Sequence, residues 1–173
     1  MIDFEIGNAR EDEARRCPEI EARASERFSE EDLPAEGRAG VNGVNVFVEA
    51  AREDRLWIAR LGEERAPVGF ALVAWVAGEL HLAELDVLPE FGRRGLGRAL
   101  LESVCGWARA QGESAITLST FRDVPWNAPF YASAGFGVLP RADWSVSLEQ
   151  IAAEEARHGL DPARRVMMRR SLR

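Results

Sequence analysis

The chain has 173 residues, 46% of them hydrophobic and 29% charged, and a net charge of −7. That length and balance suit one soluble globular domain with a sizeable core, and exclude a disordered or fibrous chain. The acidic balance also argues against general binding to nucleic acid, which needs a basic face.

In chain order, Ile2, Phe4 and Ile6 alternate with polar residues and predict a first strand within Met1 to Ala9. Glu11 to Arg27 predicts one amphipathic helix, with Ala14, Cys17, Ile20 and Ala24 at helical spacing. Pro34, Gly37, Gly40 and Gly43 make Asp32 to Gly43 a loop, and Val44 to Ala51 resumes as a short helix or turn. Arg55 to Leu61 and Pro67 to Val76 read as strands joined by a turn at Gly62-Glu63-Glu64-Arg65. Ala77-Gly78-Glu79 then turns the chain into a third long strand, Leu80 to Leu88, and the short connections make these three antiparallel.

Gly97 to Gln111 carries Leu100, Leu101, Val104 and Trp107–Ala108 at helical spacing, and Gly112 ends it as a C-cap. Ser114 to Phe121 is the next strand. Because a helix separates it from the Leu80 strand, the two are expected to run parallel. Asn127 is an expected N-cap for a short helix that has Ala128 at its first position and Pro129 in its first turn. Phe136 to Val146 is read as a strand, Glu149 to His158 as a helical or loop excursion, and Arg164 to Leu172 as the closing strand. No repeat is visible, so residues 1–173 are expected to form a single domain.

Cys17 and Cys105 follow no metal-binding or redox spacing, so neither a metal site nor a structural disulfide is expected. No stretch has the length of a membrane span, and the N-terminus lacks a charged-then-apolar signal pattern, so the expected location is cytoplasmic.

The stretch Leu80 to Leu101, LHLAELDVLPEFGRRGLGRALL, carries the chemistry. An apolar-rich strand breaks at Pro89 and enters a helix through Gly92-Arg93-Arg94-Gly95-Leu96-Gly97-Arg98. Amide N–H groups at a helix N-terminus have no intrahelical partner, and the helix dipole adds positive charge there. Gly95 and Gly97 let a ligand approach the backbone, so the stretch suits a phosphate or pyrophosphate. A dinucleotide fingerprint fits less well, because the third glycine of G-x-G-x-x-G is missing. A P-loop needs lysine, and the chain has none.

Strand, V-x-P, then R-R-G-x-G-x-A-L-L resembles the acetyl-coenzyme A signature of the GNAT N-acetyltransferase superfamily. The opening Gln or Arg of that signature is Gly92 here. A second stretch, F-Y-x-x-x-G-F from Phe130 to Phe136, resembles the family motif whose tyrosine lies beside the coenzyme A sulfur. The family form has Asn seven residues before that tyrosine and Ala four before, where this chain has Val124 and Asn127.

The resemblance implies an α/β fold of the α+β type, the GNAT fold. Its sheet is mixed, mostly antiparallel and seven-stranded, with a parallel central pair splayed at the cofactor site and helices on both faces. It implies an enzyme that moves an acetyl group from acetyl-coenzyme A to a primary amine of a small molecule or peptide. A homodimer is compatible with it, and no nucleic acid, membrane or metal is implied. Cofactor contacts would fall on Leu85, Asp86 and Val87 of the strand edge, on Arg93, Arg94, Gly95, Leu96, Gly97 and Arg98, and on Asn127. One of the three arginines is expected to reach the cofactor.

Direct attack needs a base for the amine, a donor to the carbonyl oxygen and an acid for the leaving thiolate. Tyr131, the only tyrosine, is the expected acid, because a phenol of pKa about 10 stays protonated where a thiol of about 8.5 does not. A backbone N–H near Val87 would polarise the carbonyl. The base is His81 or Glu84, with Asp86 a further carboxylate on the same strand; a histidine there is equally explained by a structural hydrogen bond. From another class, a coenzyme A-binding regulatory or interaction module without transfer activity would carry the same motifs.

Overall fold

The computed structural model describes residues 4–35, 42–62 and 64–173. The sequence expectations placed on Ile2, on Gly37 and Gly40 of the Asp32 to Gly43 loop, and on Glu63 of the turn lie outside the described residues.

Seven strands form one sheet: β1 (Phe4–Asn8), β2 (Leu56–Leu61), β3 (Ala66–Val76), β4 (Glu79–Val87), β5 (Ala115–Phe121), β6 (Gly137–Val138) and β7 (Arg165–Ser171). Their order is β1-β2-β3-β4-β5-β7-β6. Pairings β1–β2, β2–β3, β5–β7 and β6–β7 are antiparallel. Strands β4 and β5 are parallel, through His81↔Thr117 and Leu82↔Leu118. Around the sheet lie α1 (Glu11–Ala14), α2 (Cys17–Ser25), α3 (Val44–Arg52), α4 (Leu96–Ala110), α5 (Ala128–Ser133) and α6 (Val146–Arg157). Among the described residues no helix is long and apolar enough to cross a membrane.

The chain divides into two compact units, the first built from Met1–Arg27, Val41–Ala74 and Ala83–Trp107. Its core joins the buried stripe of α3 to the inner face of β2 and β3, with the rings of Phe47 and Phe70 packed edge to face at 5.1 Å. Full burial of each such ring contributes about 2–3 kcal/mol. The single helix expected over Glu11 to Arg27 is two helices. Pro18 occupies the opening of α2, where its missing N–H costs nothing, and the chain turns at Arg15 and Arg16 to let it start there.

Buried in the same unit, Glu13 accepts from Arg60 Nε at 2.6 Å, from Arg60 Nη2 at 2.8 Å and from the Arg10 amide at 2.8 Å. Burial alone would raise the Glu13 pKa, but these hydrogen bonds outweigh it and hold the carboxyl below its ordinary value. On β3, a Cβ at Gly69 would meet the Asp86 carbonyl oxygen at 2.8 Å, so glycine permits the close approach of β3 to β4.

The second unit is built from Phe28–Gly40, Trp75–Leu82 and Ala108–Arg173. Its frame is the seven-residue ladder of β5 on β7, from Ala115↔Ser171 to Phe121↔Arg165, with Ile116, Leu118, Met167 and Met168 buried. The long strand expected over Phe136 to Val146 is only Gly137–Val138. Pro140 removes a ladder donor, a tight turn follows at Arg141–Asp143, and the Trp144 indole N–H donates to the Leu139 carbonyl at 3.0 Å. The excursion read over Glu149 to His158 is helix α6, which begins earlier because Ser145 caps it by accepting from the Leu148 amide at 3.3 Å.

Candidate active site

In the first unit, β4 ends at Val87 and the chain makes a tight turn at Pro89–Phe91 before α4 begins at Leu96. Between them Arg93 has φ 58° and Gly95 φ 86°, both left-handed. That conformation is strained for arginine and natural for glycine. Among the described residues the amides of Arg93, Arg94 and Gly95 donate to no acceptor, and the first intrahelical bond, Ala99 N–H to Gly95 O, is made at 2.9 Å. The amides of Leu96 and Gly97 occupy the first turn, where the helix itself offers no partner.

The N–H groups of Arg93 to Gly97 thus stand at the head of a fifteen-residue helix, the kind of position that suits an anion. A Cβ on Gly95 would touch no protein atom within 4 Å, so its glycine serves the backbone conformation and the open approach. The buried Leu96 side chain ties the loop to the core. Arg93 and Arg94 are exposed, with the Arg94 guanidinium over the Phe91 ring at 5.5 Å, and Arg98 is half-buried.

The same unit brings two carboxylates together. Glu84, Leu85, Asp86 and Val87 are all half-buried on β4. Asp86 feels the charge of Glu21 on α2, and its pKa is raised first by burial and then by that neighbour, against the pull of Arg27. Glu21 is itself raised by burial, although the Asn42 amide at 3.1 Å and the Asn42 Nδ2 at 3.0 Å both donate to its carboxylate. The sequence reading passed over Glu21. Its signal was a lone glutamate on the apolar stripe of Cys17, Ile20 and Ala24. Cys17 and Cys105 are buried, and burial with the nearby carboxylates pushes the Cys17 thiol up to about 12.

In the second unit, Tyr131 is buried on α5, with its ring 5.1 Å from Phe130 and 5.8 Å from Phe136. Asn127 stands at the N-cap of α5 but does not cap it. Its Oδ1 instead accepts from the buried Thr120 hydroxyl at 2.6 Å. Forgoing the cap costs about 1 kcal/mol and turns the Asn127 amide nitrogen away from Thr120.

His81 is not at a partly exposed strand end but 6% exposed, with Nδ1 2.9 Å from the Thr117 hydroxyl. Burial lowers its pKa to about 4, so it is neutral at physiological pH and a weak base. The Thr117 contact is a structural hydrogen bond of the kind expected, and His81 is buried behind it. Among the described residues no group of three or more metal-ligating side chains occurs.

Residues 12–136 match the model of the acetyltransferase (GNAT) family. The chain belongs to that family. Solved structures agree with this at the level of fold. A PaiA N-acetyltransferase from Thermoplasma acidophilum, solved in complex with coenzyme A, is 17% identical with a TM-score of 0.68, over 98% of this chain and 99% of that one. The ribosomal-protein-S18-alanine N-acetyltransferase from Escherichia coli is 19% identical with a TM-score of 0.64, over 98% and 94%. An N-acetylglutamate synthase from Neisseria gonorrhoeae, complexed with coenzyme A and N-acetyl-glutamate, gives 16% and a TM-score of 0.70, over 100% of this chain and 36% of that one. For a GNAT chain the unpartnered amides from Arg93 to Gly95 have a fitting ligand in the diphosphate of coenzyme A, whose oxygens accept where those groups can only donate.

Proposed function

We propose that the protein is an acetyl-coenzyme A-dependent N-acetyltransferase acting on a primary amine of a small molecule or peptide by direct attack. The observation that carries this reading is the left-handed loop from Arg93 to Gly95, whose amides find no acceptor in the described protein. Residues 1–173 then work as one functional domain.

Acetyl-coenzyme A supplies the thioester as co-substrate. Gly95, Leu96 and Gly97 hold its diphosphate through their amides, and Arg93, Arg94 or Arg98 adds a charged contact. The Leu85–Val87 backbone bonds the pantetheine arm as an added strand, and an N–H near Val87 polarises the carbonyl oxygen. Asn127 contributes its amide nitrogen to the same arm.

Tyr131 gives its phenol proton to the departing thiolate. Glu84 takes the proton of the amine, since burial makes His81 only weakly basic. That loss of one base is also what favours a second reading, a coenzyme A-binding module without transfer.

Thiol release across a panel of amines separates the two. Tyr131→Phe is expected to slow release by about 100-fold, the low end for a positioned acid, while coenzyme A binding stays nearly intact. An unchanged rate removes Tyr131 from the chemistry. Binding without turnover on any amine favours the module.

A further inference from the structure

The second unit contains a cavity of about 230 Å³ that no residue of the proposed transfer chemistry lines. It lies between α6 and the face of β5 and β7 that carries Ser119, Arg165 and Met167. Protein interiors are otherwise filled to crystal-like density, so open volume of this size against a sheet face has room for an occupant.

Its walls and floor state what that occupant is. Trp144, Leu160 and Met167 make the walls apolar. The charged lining residues cancel in two pairs. On the floor Arg165 donates to Glu155 from Nη2 at 2.6 Å and from Nε at 3.2 Å. The Ser119 hydroxyl donates to Glu155 at 2.8 Å and accepts from Arg165 Nη2 at 3.1 Å. At the rim Arg141 pairs with Glu149 through two bonds of 2.8 and 3.2 Å and lies over the Trp144 ring at 5.2 Å.

One polar group is left over. Arg165 Nη1 donates to no acceptor among the described residues and keeps access to water, while the guanidinium lies over the Phe121 ring at 4.5 Å. A donor whose present partner is water is available to an oxygen that enters the cavity, whereas the Glu155 carboxylate already accepts three hydrogen bonds.

We propose that this cavity binds a compact, mostly apolar molecule that carries one hydrogen-bond-accepting oxygen for Arg165. A cavity of roughly 150 Å³ accepts benzene, so this one takes a ring with a short tail, about ten non-hydrogen atoms. The occupant goes beyond acetyl transfer, and its binding is measured without turnover.

Phenylacetate is the probe, added to full-length protein with ¹³C-methyl-labelled methionine. Met167 lines the cavity, while its neighbour Met168 points to the opposite face of β7 and serves as the internal control. The Met167 methyl resonance is expected to move saturably with a millimolar dissociation constant, and Met168 to stay still. Phenethylamine, with the same body and a cation in place of the oxygen acceptor, is expected to bind at least about tenfold more weakly. Ala153→Leu on the solvent-open wall fills the space and is expected to abolish the shift with the melting temperature unchanged. A still Met167, equal movement of Met168, equal binding of the amine, or full binding by the folded Ala153→Leu variant would each overturn the proposal.

Discussion

His81 offers a test in which stability reports on burial. Its pKa moves from 6.5 to about 4 on folding, so between those values the unfolded chain holds a proton that the folded chain refuses. Stability from this group is therefore complete above about pH 6.5, is lost as pH falls, and is gone below about pH 4. Linkage over that window, taken from about pH 7 to about pH 5, gives a loss of about 2 kcal/mol from His81 alone.

The perturbation is His81→Asn, which keeps a partner for the Thr117 hydroxyl but removes the titration. Glu21 and Asp86, whose pKa values are raised, push the other way, with stability falling as pH rises through the carboxylate range. That contribution is common to both proteins and cancels in the comparison. Urea unfolding followed by far-UV circular dichroism at the two pH values measures the difference. The wild type should lose about 2 kcal/mol more than the variant on acidification. If the two proteins lose the same amount, His81 is not excluded from water as described, and its return as a proton acceptor would have to be considered.

Gly95→Asp places a carboxylate at the head of α4, about 4 Å from a bound diphosphate. At an effective dielectric constant near 20 the repulsion is about 4 kcal/mol, so coenzyme A affinity measured by calorimetry should fall by about a thousandfold. Unaltered affinity would remove the loop from the binding site. Thr120→Val leaves the Asn127 carbonyl without its donor and frees the amide to rotate; a loss of about 1 kcal/mol should weaken coenzyme A binding about fivefold. Thr120→Ser should restore it, and equal affinity in all three proteins would show that Asn127 needs no such anchor.

Much of the fold was legible because local physics decided it. Glycine-marked turns separated the strands, and the apolar stripe of α4 made its helix plain. The resemblance in Gly92 to Leu101 and Phe130 to Phe136 led to the family that the comparison then showed. Pro18 was also readable as a helix start, and was passed over because the apolar spacing runs through it without interruption. Strand β6 was overestimated for a related reason: apolar residues from Phe136 to Val146 permit a strand, but Pro140 withholds a ladder donor.

The candidate site was legible only in part. Side-chain identity and spacing marked Tyr131, Gly95 and the strand edge as candidates, because motifs are local. They could not tell that Thr117 would cover His81, since that partner is 36 residues away and is reached through the parallel pairing. Nor could they place Glu21 beside Asp86, whose pKa is raised first by burial and then by that neighbour from another element. Read alone, the chain told where the backbone must turn, which amides head α4 and which side chains are of a type able to do acid or base chemistry. Tertiary structure alone decided which of those groups water reaches, because desolvation depends on what packs against a side chain, and packing joins residues that the chain keeps far apart.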